Sequence, residues 1–336
     1  MSEPYPFPPG PRPRRRGRRV LQCMAAFVVL AAIGAYLTVQ YLTGGNGTPR
    51  CVVVSAADDG ASYEFTPEQA ANAATISAVG TSRELPERAV TIALATALQE
   101  SSLRNIAHGD RDSLGLFQQR PSQGWGTEQQ IQDPVYAAGE FYEHLVKVEG
   151  YERLPLTVAA QRVQRSGYPE AYAKHEPDAT LLAAALTGRS AATLTCEGRR
   201  DTTGTGTAYT GGPEAVRSAL ARDFGDDAFE SAAAVVSSEG GASAEAKAAP
   251  SPSVSPAAGT VTIPLTDIED EDRARQRGWE LAHWAVANSS RLGVERVSYA
   301  GREWVAEGRA GAWRKARGVA GGAAGTATEV RIVTGQ

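Results

Sequence analysis

Two patterns of apolar residues divide the chain. Val20 to Leu42 is almost wholly apolar, whereas from Thr66 onward apolar residues return every three or four positions. As a helix the first run covers roughly 34 Å at about 1.5 Å per residue, enough to cross a bilayer. Arg12, Arg14, Arg15, Arg16, Arg18 and Arg19 precede it, and none follows directly after. That bias predicts a single-pass protein of the cell membrane: a cytoplasmic Pro/Arg-rich tail over 1–19, a transmembrane helix over 20–42, and everything from Gly44 onward extracytoplasmic. Tyr41-Leu42-Thr43-Gly44-Gly45 is a poor cleavage site, which favours an anchor over a removed signal peptide.

The periodic part begins with a helix start. Thr66 is placed to cap, Pro67 occupies the first helical position, and Gln69 closes a capping box ahead of Ala70, Ala73, Ala74, Ile76 and Val79. Leu85-Pro86-Glu87-Arg88 opens a second helix. On it Val90, Ala93, Leu94, Ala97 and Leu98 form one stripe, while Ala89, Ile92 and Ala95 line the opposite side. A helix apolar nearly all round belongs at the centre of an all-helical domain. Asp133-Pro134 starts another, carrying Val135, Ala138, Phe141, Tyr142, Leu145 and Val148. Further helices are expected from Leu156 and over Leu181 to Leu186.

After Cys196 the pattern breaks. Thr202 to Gly212 and Ala232 to Thr260 are rich in Thr, Gly, Ala, Ser and Pro with few large apolar residues, so 198–260 reads as a flexible linker, interrupted by a helix at 213–229. The remainder, 261–336, reads as a small α+β module. Its helix runs from Glu271 to Leu292 with Trp279, Ala282, His283, Val286 and Ala287 near one stripe, and strands are expected at Glu295 to Tyr299, Glu303 to Ala306 and Glu329 to Thr334. The expected fold class is therefore mainly α: an N-terminal transmembrane helix, an all-helical domain over 50–197, and the α+β module.

Composition narrows the function. A net charge of −4 over 336 residues and the absence of any zinc-finger spacing give no case for nucleic acid. Cys23 falls in the apolar run and reads as a buried thiol, whereas Cys51 and Cys196 bracket the helical domain. In an oxidising exterior those two are expected to form a disulfide. His108, Asp110 and Asp112 lack a fourth ligand, so no metal site is read there, and Asp112 or Ser113 is better suited to capping the next short helix.

Candidate chemistry centres on Glu100, about a quarter-turn from the buried stripe at about 100° per residue. In a partly dehydrated cleft its acid form is favoured, which equips it to donate a proton. Glu100-Ser101-Ser102-Leu103-Arg104-Asn105, followed by Gly115-Leu116-Phe117-Gln118, resembles the two-part signature of lysozyme-like lytic transglycosylases. Ala138-Gly139-Glu140-Phe141-Tyr142 is similar to a helix that backs the cleft in that family. The resemblance spans roughly 64–190, which makes 50–197 a lysozyme-like domain.

The resemblance implies a membrane-anchored enzyme cleaving the β-1,4 bonds of peptidoglycan glycan strands. Glu100 is the catalytic residue, and Ser101, Phe117, Gln118, Gln119, Trp125, Tyr142 and Gln161 contact the saccharide; no metal or cofactor is required. Gln119 to Trp125 offers amides and an aromatic ring suited to sugar hydroxyls and C–H faces, and Tyr168, Pro169, Tyr172 and His175 sit where a groove wall is needed. Asp110 or Asp112 as a second carboxylate would make a hydrolytic lysozyme instead. One departure matters: Gln161-Arg162 stands where the family carries Tyr-Asn, whose tyrosine contacts the sugar and the acid. A lysozyme-fold glycan-binding scaffold without turnover is the alternative. The terminal module is weakly similar to one found beside wall hydrolases. Its last strand, Val330-Arg331-Ile332, lacks the His-x-His of related metallopeptidases, so a binding or docking role is expected.

Overall fold

The computed structural model describes residues 49–57, 59–166, 169–197, 211–225, 253–255, 259–266, 268–306, 312–316 and 327–335, with Met24 alone before them. In chain order the elements are β1 (Cys51–Val54), β2 (Ser62–Phe65), α1 (Pro67–Ser82), α2 (Glu87–Ser101), α3 (Glu128–Ile131), α4 (Pro134–Leu145), α5 (Leu156–Gln164), α6 (Glu176–Leu186) and β3 (Leu194–Cys196). Then follow α7 (Pro213–Phe224), β4 (Ser253–Ser255), β5 (Thr260–Pro264), α8 (Glu271–Ala287), α9 (Ser289–Leu292), β6 (Val294–Tyr299), β7 (Arg302–Val305), β8 (Arg314–Lys315) and β9 (Glu329–Thr334).

The expected fold class needs correction. The region 50–197 is not all-helical, because β1 pairs with β2 on one side and β3 on the other in an antiparallel sheet. Cys51 and Val53 face inward and are fully buried while Val54 points out, a two-residue period too short to register against the helical pattern around it. The terminal module carries a six-stranded antiparallel sheet in the order β4-β5-β9-β6-β7-β8, three strands more than expected, two of them at 253–264 around the end of the expected linker. The expected transmembrane helix is not supported: among the described residues no helix is long and apolar enough to cross a membrane. Apart from an exposed Met24, the span 20–42 lies outside the described residues, as do the tail 1–19 and most of the expected linker.

Helix α2 is the axis of the helical part. It is buried continuously from Ala89 to Leu98 and again at Ser101, and ends where Ser102 turns left-handed at φ 54°. α1 begins with the expected box, Thr66 Oγ1 accepting from Gln69 N at 3.3 Å and Gln69 Oε1 accepting from Thr66 N at 2.7 Å. Cys51 and Cys196 face each other in register and form a disulfide with Cα atoms 3.9 Å apart. Val54 N donates to Thr193 O and Glu197 N to Arg50 O, so the cysteines occupy a non-hydrogen-bonded pair, where opposing side chains approach closest.

Residues Pro49–Gln336 form one compact unit. The module is fixed to the helical part through α8. His283, fully buried, holds Ala185 O at 2.7 Å through Nδ1 and accepts from Thr193 N at 3.2 Å through Nε2, an arrangement that assigns its proton to Nδ1. Burial pushes its pKa down to about 4. Trp313 Nε1 donates to Leu194 O at 2.8 Å, and Gln276 Nε2 to Thr187 O at 2.9 Å. The buried Asp223 of α7 accepts from Thr75 Oγ1 at 3.0 Å and from Trp284 Nε1 at 2.9 Å, tying three helices at one carboxylate.

Gly188 marks how close that approach is. Its φ is +75°, and a Cβ there would lie 1.9 Å from the carbonyl oxygen of Gln276. Gly188→Ala is therefore expected to lower stability by about 2 to 3 kcal/mol, combining left-handed strain with overpacking. Urea denaturation reads the loss, and a change below about 0.5 kcal/mol would show that α8 yields freely at this contact.

Candidate functional site

Glu100 lies on the last turn of α2 and is half-buried. The N-terminal end of the same helix, at Glu87, hydrogen-bonds Thr187 beside the docked module. The two ends are about 20 Å apart at about 1.5 Å per residue, so the contacts at Thr187 and Gly188 lie far from the carboxylate.

One hydroxyl donates to Glu100: Tyr172 Oη reaches its Oε1 at 2.7 Å. Tyr172 sits on a 3-10 turn, Pro169–His175, that follows α5 and packs against the end of α2. Its next turn brings His175 Nε2 to Gln99 Oε1 at 3.1 Å. Burial raises the Glu100 pKa above its ordinary value and outweighs the Tyr172 and Gln164 side chains, which act in the opposite direction. Burial and the neighbouring carboxylate push the Tyr172 phenol upward, so it keeps its proton and remains a donor. Tyr172→Phe removes one of the groups that favour the ionised form. A carbon-13 NMR titration of the Glu100 carboxyl is expected to move to higher pH, and an unchanged curve would mean the 2.7 Å contact carries no weight in solution.

The second half of the signature is a tight hairpin. Leu114 and Gln119 exchange backbone hydrogen bonds at 2.9 and 3.0 Å around Gly115-Leu116-Phe117-Gln118. Gly115 at φ +75° and Gln118 at φ +49° are both left-handed. Ser101 Oγ donates to Leu116 O at 2.7 Å and Gln164 Nε2 to Phe117 O at 2.7 Å, so successive hairpin carbonyls are held from the acid's own helix and from the end of α5. The Gln118 side chain folds back to Gly115 O at 3.2 Å, against Gly109.

The residues expected to contact saccharide divide into two groups. Gln118, Trp125 and Gln161 are partly exposed. Trp125 stacks on His144 with ring centroids 4.2 Å apart. Gln161 donates through Nε2 to Ser166 O at 2.7 Å, and the groups bonded to Glu100 do not include it. Ser101, Phe117, Gln119 and Tyr142 present almost no surface to a ligand. Phe117 stacks on Phe141 at 4.7 Å, Gln119 Nε2 bonds Ala137 O at 3.0 Å, and the Tyr142 hydroxyl bonds Ile76 O at 2.9 Å in the space left by Gly80. These four build the walls behind the site. Tyr168 lies outside the described residues.

Asp112 is engaged elsewhere. Its oxygens accept from Arg120 Nε at 2.8 Å and Ser122 N at 2.9 Å; the Ser122 hydroxyl, then Arg120 and the Ser122 amide, hold its carboxyl well below the usual range. Asp112 thus clamps the loop after the hairpin. Among the described residues, no group of three or more His, Cys, Asp or Glu side chains is placed to hold a metal ion.

Gln164 is the residue the sequence reading missed. It lies three positions after Gln161, on the same side of one helical turn, and that spacing was the available signal. Against known proteins, the chain matches no family model and no curated protein.

Proposed function

We propose that the protein is an extracytoplasmic muralytic enzyme that cleaves the β-1,4 bonds of peptidoglycan glycan strands as a lytic transglycosylase. The supporting observation is the half-buried Glu100 carboxyl, raised in pKa, with the Tyr172 hydroxyl 2.7 Å away beside the Leu114–Gln119 hairpin. Tyr172 offers the carboxylate contact that Gln161-Arg162 does not provide. The Cys51–Cys196 disulfide fits an oxidising compartment.

In the proposed reaction, protonated Glu100 gives its proton to the glycosidic oxygen as the C1–O bond breaks and an oxocarbenium-like centre forms. The resulting carboxylate takes the proton of the muramoyl 6-hydroxyl, whose oxygen closes on C1 to leave a 1,6-anhydro end. One carboxylate serves both steps because the nucleophile is held within the same sugar, at high effective concentration. With Asp112 bound to Arg120, an intramolecular nucleophile is favoured over a water activated by that residue.

Mass spectrometry of soluble products from purified peptidoglycan tests the proposal. Anhydro-muramoyl fragments are expected; reducing-end fragments would make the enzyme a hydrolase, and no fragments, with the protein sedimenting with the wall, would make it a binding scaffold.

A further inference from the structure

We propose that Gly109 is a positioning residue of this site: its bare Cα is the seat of the Gln118 carboxamide, and that seat fixes the direction in which Gln118 meets a saccharide. The inference rests on the glycan-cleavage reading for the saccharide, but not for the contact between the two residues.

Gly109 lies in the loop between the two halves of the signature. Its φ is not left-handed, in contrast to Gly115 at φ +75°, so no conformational reason requires glycine there. Space is what a side chain would lack. A Cβ at Gly109 would overlap Gln118 Oε1 outright and lie 2.9 Å from Ser113 O. The loop is pinned on both sides of this contact. Ile106 O accepts from Gly115 N at 2.8 Å and from Gln132 Nε2 at 2.9 Å, while Asp110 O accepts from Ser113 N at 3.1 Å and from Ser113 Oγ at 2.7 Å. Ser113 itself is buried.

Gln118 needs such a seat, because its own hold on the hairpin is slight. Nε2 donates to Gly115 O at 3.2 Å and the Gln118 backbone N–H reaches the same oxygen at 3.4 Å, whereas the bonds that close the hairpin are 2.9 and 3.0 Å. One long hydrogen bond to a shared acceptor does not offset the rotamer freedom of a glutamine side chain. Packing of Oε1 on Gly109 supplies the missing constraint. The carboxamide is partly exposed, and among the described residues its Oε1 accepts no hydrogen bond. It therefore keeps that acceptor and its second N–H for the hydroxyls of a sugar. Ordering the group before the ligand arrives removes part of the entropy cost of binding.

Gly109→Ala displaces the carboxamide without altering Gln118 itself. On solubilised peptidoglycan its KM is expected to rise roughly 3- to 10-fold, the worth of one uncharged hydrogen bond, with kcat changed far less, since the sugar contact is made in the ground state and the transition state alike. In a Gln118→Ala background the same change at Gly109 should leave KM where it is, because no carboxamide remains to be seated. A KM that rises there as well would make the effect one of loop structure and overturn the proposal. NMR gives the direct readout: NOEs from the Gln118 carboxamide to the Gly109 α-protons are expected in the wild type and lost in Gly109→Ala. Their absence from the wild type, or wild-type kinetics in a folded Gly109→Ala, also overturns it. If Gly109→Ala does not fold, Gln118→Asn withdraws the carboxamide from the seat by one methylene and should raise KM in the same way; an unchanged KM counts against the seat. Should the wild type itself release no fragments, glycan cleavage fails, and the NOEs still decide whether Gly109 seats Gln118.

Discussion

Glu100→Gln is expected to abolish fragment release from peptidoglycan while the protein still sediments with it. General acid–base groups contribute on the order of 10²- to 10⁴-fold, and here one carboxylate is proposed to act twice, so the residual rate should fall at the far end of that range. The amide is isosteric and can accept from Tyr172 as the carboxylate does, so folding is not the reason for the loss. Stability should respond in the opposite sense to activity. Because burial raises the folded pKa above the ordinary value of 4.5, the folded state holds the proton more tightly than the unfolded chain. Stability from this group is greatest at low pH and falls as pH rises through the folded pKa, where an ionised carboxylate is left half-buried. Glu100→Gln removes that loss. Its Tm should exceed that of the wild type at neutral pH, and the two should converge below about pH 4, where both states of the wild type are protonated. A variant that keeps wild-type release would leave the carboxyl without a catalytic role. One that loses stability at neutral pH would show that the ionised form is the favoured one in the fold.

The second large effect concerns the disulfide. Cys51 and Cys196 are separated by 145 positions, and a closed loop of that size restricts the unfolded chain by about 5 kcal/mol in the chain-entropy account. Paired replacement, Cys51→Ala with Cys196→Ala, should lower Tm by roughly 10 to 20 °C for a unit of this size. Both positions are buried and directly opposed, so small side chains leave the strand pairing itself intact. Calorimetry of the double variant reads the change. A fall of less than about 3 °C would mean the unfolded chain is already restricted near these ends.

Long periodic helices were legible in the sequence because burial on one stripe repeats often enough to be counted, as along Val90 to Leu98. The strands around Cys51 were not, since each spans three or four residues and one partner, β3, lies far along the chain. At the site, residue type and spacing located Glu100 and the hairpin turn but could not separate wall from lining. Phe117 and Tyr142 look like sugar-contacting aromatics until their rings are found packed on Phe141 and bonded to Ile76. Tyr172 comes to Glu100 from a 3-10 turn and Gln164 to Phe117 O from a helix end, geometry that depends on where α5 stops. In the same way, the stripe carrying His283 announces a buried face without saying that Ala185 and Thr193 will be its partners.

The closest-approach register of the cysteines also determines where a mechanical load would travel. Cys51 opens β1 and Cys196 ends β3, so a pull entering at residue 50 and leaving at residue 197 runs through one covalent S–S bond. The helices between those points, Glu100 and the hairpin among them, hang as a loop beside the line of force. Traction on the chain at either side would stretch the linkage and leave the surroundings of Glu100 slack.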